Sequence, residues 1–148
     1  MKKALRYIPF IFVIVAIFAL TAQSQEGTVG LSDTFMNILI KICSRLGMDV
    51  DSEWWNSRVN IRWLGHTIEY FVLGLAAGIM FKRKWIALPV CLLISVIDQL
   101  TKIFIPVRHF DAEDIPFDIV GFCGGIAIAW VISMAVRAMK REWEGDSE

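Results

Sequence analysis

The sequence lacks the features that identify several common classes of protein. It has no excess of positive charge, since 15 Lys and Arg residues balance 15 Asp and Glu residues. A protein that binds nucleic acid through phosphates needs a basic surface, so that class is excluded. Its three cysteines, Cys43, Cys91 and Cys123, are an odd number at no ligand-like spacing. We therefore expect no disulfide framework, no metal cluster and no cofactor.

Charged residues are also scarce, at 20% of the chain, whereas 56% of its 148 residues are hydrophobic. The mean hydropathy of +0.56 is too high for an ordinary soluble domain of this size. A helix needs about 20 apolar residues to cross about 30 Å of hydrocarbon. Four stretches meet this length, at residues 5–22, 63–81, 85–105 and 117–136. The predicted fold is all-α, a four-helix transmembrane bundle in which residues 1–148 form a single membrane domain.

Positive charge alternates between the connections and predicts the orientation of the spans. Nine cations precede the first span, join the second to the third, or follow the fourth: Lys2, Lys3, Arg6, Lys82, Arg83, Lys84, Arg137, Lys140 and Arg141. The positive-inside rule places these cations, and with them both termini, in the cytoplasm. An alternative makes the first span a cleaved signal peptide. Leu20 is a poor residue three positions before a cut at Ala22, which favours the span.

The long outer connection contains one amphipathic helix, predicted at residues 33–46. Its apolar positions recur at helical spacing: Phe35, Ile38, Leu39, Ile42, Cys43 and Leu46. The opposite face is polar: Asp33, Asn37, Lys41, Ser44 and Arg45. About 14 residues reach only about 21 Å, too short to cross a membrane. This extracytoplasmic helix either lies on the outer membrane surface or covers the bundle as a lid.

Two acids lie inside predicted spans, where each costs about 2.5 to 3.5 kcal/mol unless it is paired or hydrated. Glu69 lies about 10 Å below the outer surface, counting down from Arg62. Asp98 lies about 21 Å above Lys84, which brings it to a similar depth. We therefore expect the two carboxylates to face one another beneath the outer surface.

Other polar residues gather at the same level, while the cytoplasmic half of the bundle is almost wholly apolar. The candidate catalytic residues are His66, Glu69 and Asp98. The candidate binding residues are Ser24, Gln25, Arg62, Tyr70, Gln99, Lys102, Arg108, Asp114 and Asp118. Intramembrane ionisable residues generally mark a substrate or proton path, but a buried ion network that only fixes helix register is the alternative. A metal site is not supported by any specific ligand spacing.

Small residues at intervals of four allow the spans to pack closely. Gly74 and Gly78 form a GxxxG step in the second span. The fourth span carries a stripe of small residues: Gly121, Gly125, Ala129 and Ser133. We expect these two faces to pack against neighbouring helices.

Two stretches of the sequence resemble the VanZ-like family of bacterial membrane proteins. Residues 62–70, RWLGHTIEY, are similar to the family's R-x-x-x-H-x-x-E-Y at the start of a span. From Asp98 the chain reads DQLTKIFIPVRHFDAEDIPFDIVGFCGG. This block resembles the family pattern D-E-x-x-Q-x-F-x-P-G-R-x-x-x-x-x-D-x-x-x-N-x-x-G. The matching positions are Asp98, Phe104, Pro106, Arg108, Asp114 and Gly121.

The chain departs from that pattern at several positions. Gln99 replaces an acid, Val107 replaces Gly, and Lys102 and Asp118 stand where Gln and Asn are usual. The paired changes at Lys102 and Asp118 suggest a new ion pair between these two residues. The family is named for an association with resistance to teicoplanin, so the resemblance implies a bacterial cell-envelope context, with no settled reaction.

These observations leave three hypotheses for function. In the first, a polar pocket at the outer leaflet binds, or also modifies, an anionic or lipid-linked envelope component or an amphiphilic antibiotic. Arg108 would hold a phosphate or carboxylate with Lys102 adding charge, and His66 or Glu69 would carry a proton. In the second, the chain is a small proton-coupled transporter. In the third, it is a non-catalytic membrane scaffold.

Overall fold

A computed structural model describes residues 5–22, 25–47, 57–105 and 110–145 of the chain. Over these ranges a 3-10 turn at Leu5–Tyr7 is followed by five α-helices and no strand. We number the helices in chain order: α1 (Ile8–Thr21), α2 (Gln25–Arg45), α3 (Arg58–Met80), α4 (Lys84–Lys102) and α5 (Asp114–Gly145). The predicted all-α class is confirmed.

Three helices in the described ranges are long and apolar enough to cross a membrane. The candidate spans are Val59–Met80, Lys84–Lys102 and Asp114–Trp143. They correspond to the second, third and fourth predicted spans. The first predicted span is shorter than expected, because α1 has only 14 residues and rises about 21 Å. Pro9 explains this start, since proline lacks the N–H that a longer upstream helix needs and fits the first turn.

The amphipathic helix α2 begins at Gln25 and has 21 residues, so it is longer than the predicted range of 33–46. Its apolar side chains divide into two stripes, which the single predicted face did not distinguish. Met36 and Cys43 are buried against the rest of the protein. Ile38 and Ile42 are 54% and 53% exposed. Met36 and Ile38, for example, lie on different sides of the helix, because residues two positions apart differ by about 200° in direction.

Helix α3 is the centre of the bundle and contacts α1, α2, α4 and α5. Its most extensive interface is with α5, and the two helices run in the same direction. This is seen from their successive contacts, in which Gly121 meets Thr67 and Gly125 meets Phe71. Helix α4 runs in the opposite direction, because Lys84 at its start contacts Gly78 near the end of α3, and Lys102 at its end contacts Asp114 at the start of α5. The amino-terminal ends of α3 and α5 therefore lie with the carboxyl-terminal end of α4.

Glycine is required along the α3–α5 interface because the two backbones almost touch. A Cβ added to Gly125 would lie 2.1 Å from the Phe71 carbonyl oxygen. A Cβ on Gly74 would lie 2.2 Å from the Phe122 carbonyl oxygen. Such distances are far below van der Waals contact, so no larger residue fits without separating the helices. The predicted small-residue packing is thus confirmed for both helices.

The buried interior has two chemically different ends. Towards the carboxyl-terminal end of α3 the core is apolar, and it includes Leu73, Ala77, Met80 and Phe10. Seven buried residues in the described ranges are polar or charged, and all lie towards the other end: Thr21, Ser95, Asp98, Gln99, Lys102, Asp114 and Asp118. This asymmetry positions the candidate site.

Candidate functional site

Three helices carry polar stripes into a common interior, which we call the ionic cluster. The α3 stripe consists of Arg62, His66, Glu69 and Tyr70. The α4 stripe consists of Ser95, Asp98, Gln99 and Lys102. The first turns of α5 supply Asp114 and Asp118. The spacings of three, four and seven or eight residues place each stripe on one side of its helix.

The carboxylate of Asp114 is the hub of the ionic cluster and is almost completely buried. His66 Nε2 and Lys102 Nζ each lie 3.2 Å from Asp114 Oδ2. The Gln99 side-chain amide donates to the same oxygen at 3.4 Å. Arg62 Nε lies 3.1 Å from the other oxygen, Oδ1, within ion-pair distance but without hydrogen-bond geometry. Asp114 therefore ties α3, α4 and α5 together.

The imidazole of His66 is held between two carboxylates. Its Nδ1 lies 3.0 Å from Asp118 Oδ1, and its Nε2 faces Asp114. Only an imidazolium carries a proton on both ring nitrogens and donates in both directions. The Ser95 hydroxyl donates to the second oxygen of Asp118 at 2.7 Å. His66 thus has a fixed orientation, with both nitrogens occupied by protein groups.

Asp98 lies deeper in the bundle and connects the cluster to α1. The Thr21 hydroxyl, at the end of α1, donates to Asp98 Oδ1. Asp98 is 1% exposed. The Tyr70 hydroxyl is buried near the Asp98 and Asp118 carboxylates, and it makes no hydrogen bond of standard geometry to a described residue.

Glu69 is half-buried and differs from the other acids in its contacts. It is near enough to His66, Asp98 and Asp118 to interact with them electrostatically. Within the described ranges it makes no hydrogen bond and no ion pair. Glu69 and Asp98 thus lie in one electrostatic neighbourhood, as their depths predict, without direct contact.

Arg62 occupies the outer boundary of the ionic cluster. Its side chain is 43% exposed and pairs with Asp111 at 2.7 Å as well as with Asp114. Beside it, Trp63 stacks on Phe117 with ring centroids 4.6 Å apart. The end of the bundle is therefore closed by an exposed cation and an aromatic pair.

Several buried polar atoms at this end have no hydrogen-bond partner. In the described part of the chain, four such side-chain atoms are present: Trp63 Nε1, Tyr70 Oη, Gln99 Oε1 and Asp114 Oδ1. All four belong to the ionic cluster or its boundary. Buried polar groups are normally satisfied by protein, water or ligand, so this end of the bundle has unused hydrogen-bonding capacity.

The structure brings together nine of the twelve candidate site residues: Arg62, His66, Glu69, Tyr70, Asp98, Gln99, Lys102, Asp114 and Asp118. Ser24 and Arg108 lie outside the described residues. Gln25 is the first residue of α2, and its side chain is likewise outside the description.

One expected contact is wrong. Lys102 does not pair with Asp118, because Asp114 lies one turn nearer the amino-terminal end of α5 and binds the Lys102 ammonium. Asp118 is instead held by His66 and Ser95.

Sequence reasoning did not include Thr21 and Ser95 among the candidate site residues. Ser95 could have been found, since it continues the α4 stripe one turn below Asp98 and Gln99. Thr21 carries no comparable signal, because it is a single hydroxyl at the end of an apolar helix. Asp111, which pairs with Arg62, is likewise absent from the predicted site residues.

Residues 7–133 match the model of the VanZ/LLP1 family. The chain belongs to the VanZ/LLP1 family. The matched range covers α1 to α4 and most of α5, so it includes every described residue of the ionic cluster. Comparison with curated proteins and with solved structures gives no match.

The VanZ-like motif residues meet in the ionic cluster. His66 and Glu69 of the first motif lie beside Asp98 and Asp114 of the second. Three departures from the motif also lie here: Gln99, Lys102 and Asp118. Two of them, Gln99 and Lys102, contact the motif residue Asp114, and the third contacts the motif residue His66. The polar groups at these three positions therefore contact residues that match the VanZ-like pattern.

Proposed function

We propose that this membrane protein binds a lipid-linked or amphiphilic component of the bacterial cell envelope through the ionic cluster, at the outer leaflet. The observation that carries the proposal is the concentration of buried charges and unpartnered polar atoms at one end of an otherwise apolar bundle. Charged groups inside a membrane are costly and generally mark a path or binding site. The teicoplanin association of the VanZ family supports an envelope component as the ligand class, and we propose that binding contributes to glycopeptide resistance.

The contacts indicate different roles for the cations of the ionic cluster. Lys102 is buried and already neutralised by Asp114, so it holds the cluster together. Arg62 is partly exposed and is the described cation best placed to meet an anionic phosphate or carboxylate. Arg guanidinium groups bind such groups in bidentate fashion. In this proposal Arg62 and Arg108 receive the anionic part of the ligand.

The acids and His66 also differ in how available they are for contact with a ligand. His66 has both ring nitrogens occupied, which favours a positioning part over proton exchange with a ligand. Glu69 has no direct partner among the described residues and is half-buried. It is therefore the candidate proton carrier if the bound component is chemically modified, with Asp98 beside it.

A proton-coupled transporter is less well supported by the geometry. Alternating-access transporters place their sites near the bilayer midplane. Here the core on the far side of the ionic cluster is apolar, and it includes Leu73, Ala77 and Met80. The described residues thus provide no polar route through the bundle.

A binding experiment tests the proposal. The full chain is reconstituted in nanodiscs, and binding of teicoplanin and, separately, of a polyprenyl diphosphate is measured by native mass spectrometry. Glu69→Gln and Arg62→Gln should lower binding at least tenfold because they alter the available groups. Resistance to teicoplanin in a sensitive host, normalised to the amount of protein in the membrane, should fall in parallel.

A matched control separates binding from folding. Ser95→Ala removes a supporting hydrogen bond to Asp118 without changing the charge of the cluster. If the protein is only a scaffold, Glu69→Gln, Arg62→Gln and Ser95→Ala should all reduce resistance only in proportion to their loss of stability. Wild-type binding and full resistance in Glu69→Gln and Arg62→Gln would reject the binding proposal.

A further inference from the structure

The end of the bundle opposite the ionic cluster carries cations from two separate segments. Lys82 and Arg83 lie in the turn between α3 and α4, and Lys84 begins α4. Arg137 lies on α5, about 35 Å along the helix from Asp114, and therefore reaches the same end. Lys140 and Arg141 follow one turn later. Positive charge thus converges here from two segments that are far apart in sequence.

The cations of the α3–α4 turn, together with Lys84 and Arg137, lie close together, and the structure describes no carboxylate paired with them. Lys84 and Arg137 are close enough to repel each other electrostatically. Lys84 donates to the Gly78 carbonyl, and Arg137 Nε donates to the Ser133 carbonyl at 3.2 Å. Lys82, Arg83 and Arg137 make no ion pair with any described carboxylate. Among side chains that the structure describes at this end, Glu142 is the one acid, and it lies beyond Arg137 on α5.

The surroundings of these cations are those of a membrane interface. The adjoining candidate spans end at Met80 and begin at Lys84, so the turn lies at the edge of two apolar segments. Trp85 is 65% exposed beside the turn, and tryptophan is enriched at the level of lipid headgroups. Ile79 and Leu88 are exposed on the adjacent helix surfaces and are available to acyl chains.

We infer that the α3–α4 turn and Arg137 form a binding site for the phosphate headgroup of an anionic phospholipid, independently of the ionic cluster. Basic pockets between transmembrane helices are known to take anionic headgroups. Arg83 and Arg137 each offer planar pairs of N–H donors to phosphate oxygens. The bound phosphate relieves the repulsion between Lys84 and Arg137, and the lipid tails pack beside Trp85. The site therefore links the α3–α4 turn to α5.

Lipid-dependent stabilisation tests this site. The full chain is purified in mild detergent, and its thermal unfolding midpoint is measured after addition of phosphatidylglycerol, phosphatidylcholine or inorganic phosphate. Phosphatidylglycerol should raise the midpoint more than the other two. The difference should fall by at least half in Arg83→Gln/Arg137→Gln, and native mass spectra should retain fewer phosphatidylglycerol molecules.

Two variants keep the result interpretable. Lys41→Gln/Arg45→Gln also removes two exposed cations, but on α2, and should keep the full phosphatidylglycerol effect. Arg83→Lys/Arg137→Lys keeps the charge and should retain part of that effect even if the glutamine variant folds poorly. Equal stabilisation by both phospholipids, an equal loss in the α2 control, or an equal shift with inorganic phosphate would overturn the inference.

Discussion

His66 Nδ1 lies 3.0 Å from Asp118 Oδ1, and this contact joins the amino-terminal halves of α3 and α5 inside the bundle. Asp118 is fully buried, so its carboxylate depends on His66 and on the Ser95 hydroxyl in place of water. Breaking a buried pair by removing one partner leaves the other partner with an uncompensated desolvation penalty. The contact therefore matters for stability whatever ligand the protein binds.

The first prediction follows from this dependence. Asp118→Ala should lower the free energy of unfolding by about 3 to 5 kcal/mol because His66 and Ser95 both lose their partner. Ser95→Ala should cost about 1 kcal/mol in the wild-type background. In the double variant Ser95→Ala should cost almost nothing, since its acceptor is already absent. Reversible unfolding in mixed detergent measures all three, and strictly additive losses would contradict the shared network.

A second prediction concerns the partner of Lys102. Its ammonium lies 3.2 Å from Asp114 and makes no ion pair with Asp118. A double-mutant cycle between Lys102→Gln and Asp114→Asn should give a coupling energy of about 1 to 3 kcal/mol. The same cycle between Lys102→Gln and Asp118→Asn should give less than about 0.5 kcal/mol. The reverse order of the two energies would restore the pairing suggested by the departures from the VanZ-like motif.

A third prediction uses two glycines in spanning helices that have opposite surroundings. An added Cβ at Gly125 would overlap the Phe71 backbone, whereas at Gly65 it would meet nothing within 4 Å. Gly125→Ala should lower the free energy of unfolding by about 3 kcal/mol or more, because the α3 and α5 backbones must separate. Gly65→Ala should be neutral or stabilising by up to about 1 kcal/mol, since alanine favours the helix.

Unfolding in mixed detergent measures both glycine variants under identical conditions. Similar losses for Gly65→Ala and Gly125→Ala would mean that general helix effects, and not the α3–α5 contact, decide their stability. A normal stability for Gly125→Ala would show that the two helices separate at little cost.

The sequence was sufficient to predict the helical class and the gathering of polar residues at one end of the bundle, but not the bounds of α1 and α2. Apolar length gave three of the spans, and helical spacing placed His66 and Glu69 on one side of α3. Counting residues along two oppositely directed helices placed Glu69 and Asp98 at a similar level along the bundle. These quantities depend on local chain geometry, which can be read from the spacing of apolar and polar residues along each helix.

Pairing between helices could not be predicted in the same way. Lys102 has two acids within one turn of α5, Asp114 and Asp118, and the choice between them depends on the relative height of α4 and α5. The Thr21 contact with Asp98 likewise depends on where α1 ends against α4. Such contacts depend on how segments that are distant in the sequence pack together. The residue pattern of a single sequence does not show this packing.

The last prediction tests the attachment of α1 to the ionic cluster. Thr21 donates to buried Asp98, whereas Thr67 donates to the Trp63 carbonyl of its own helix. Thr21→Val should lower the free energy of unfolding by about 1 to 3 kcal/mol because Asp98 loses a donor that water cannot replace. Thr67→Val makes the same chemical change but removes a bond within α3, and it should cost less than about 0.5 kcal/mol. Equal losses would show that the Thr21 contact does not anchor α1 to the three-helix ionic cluster.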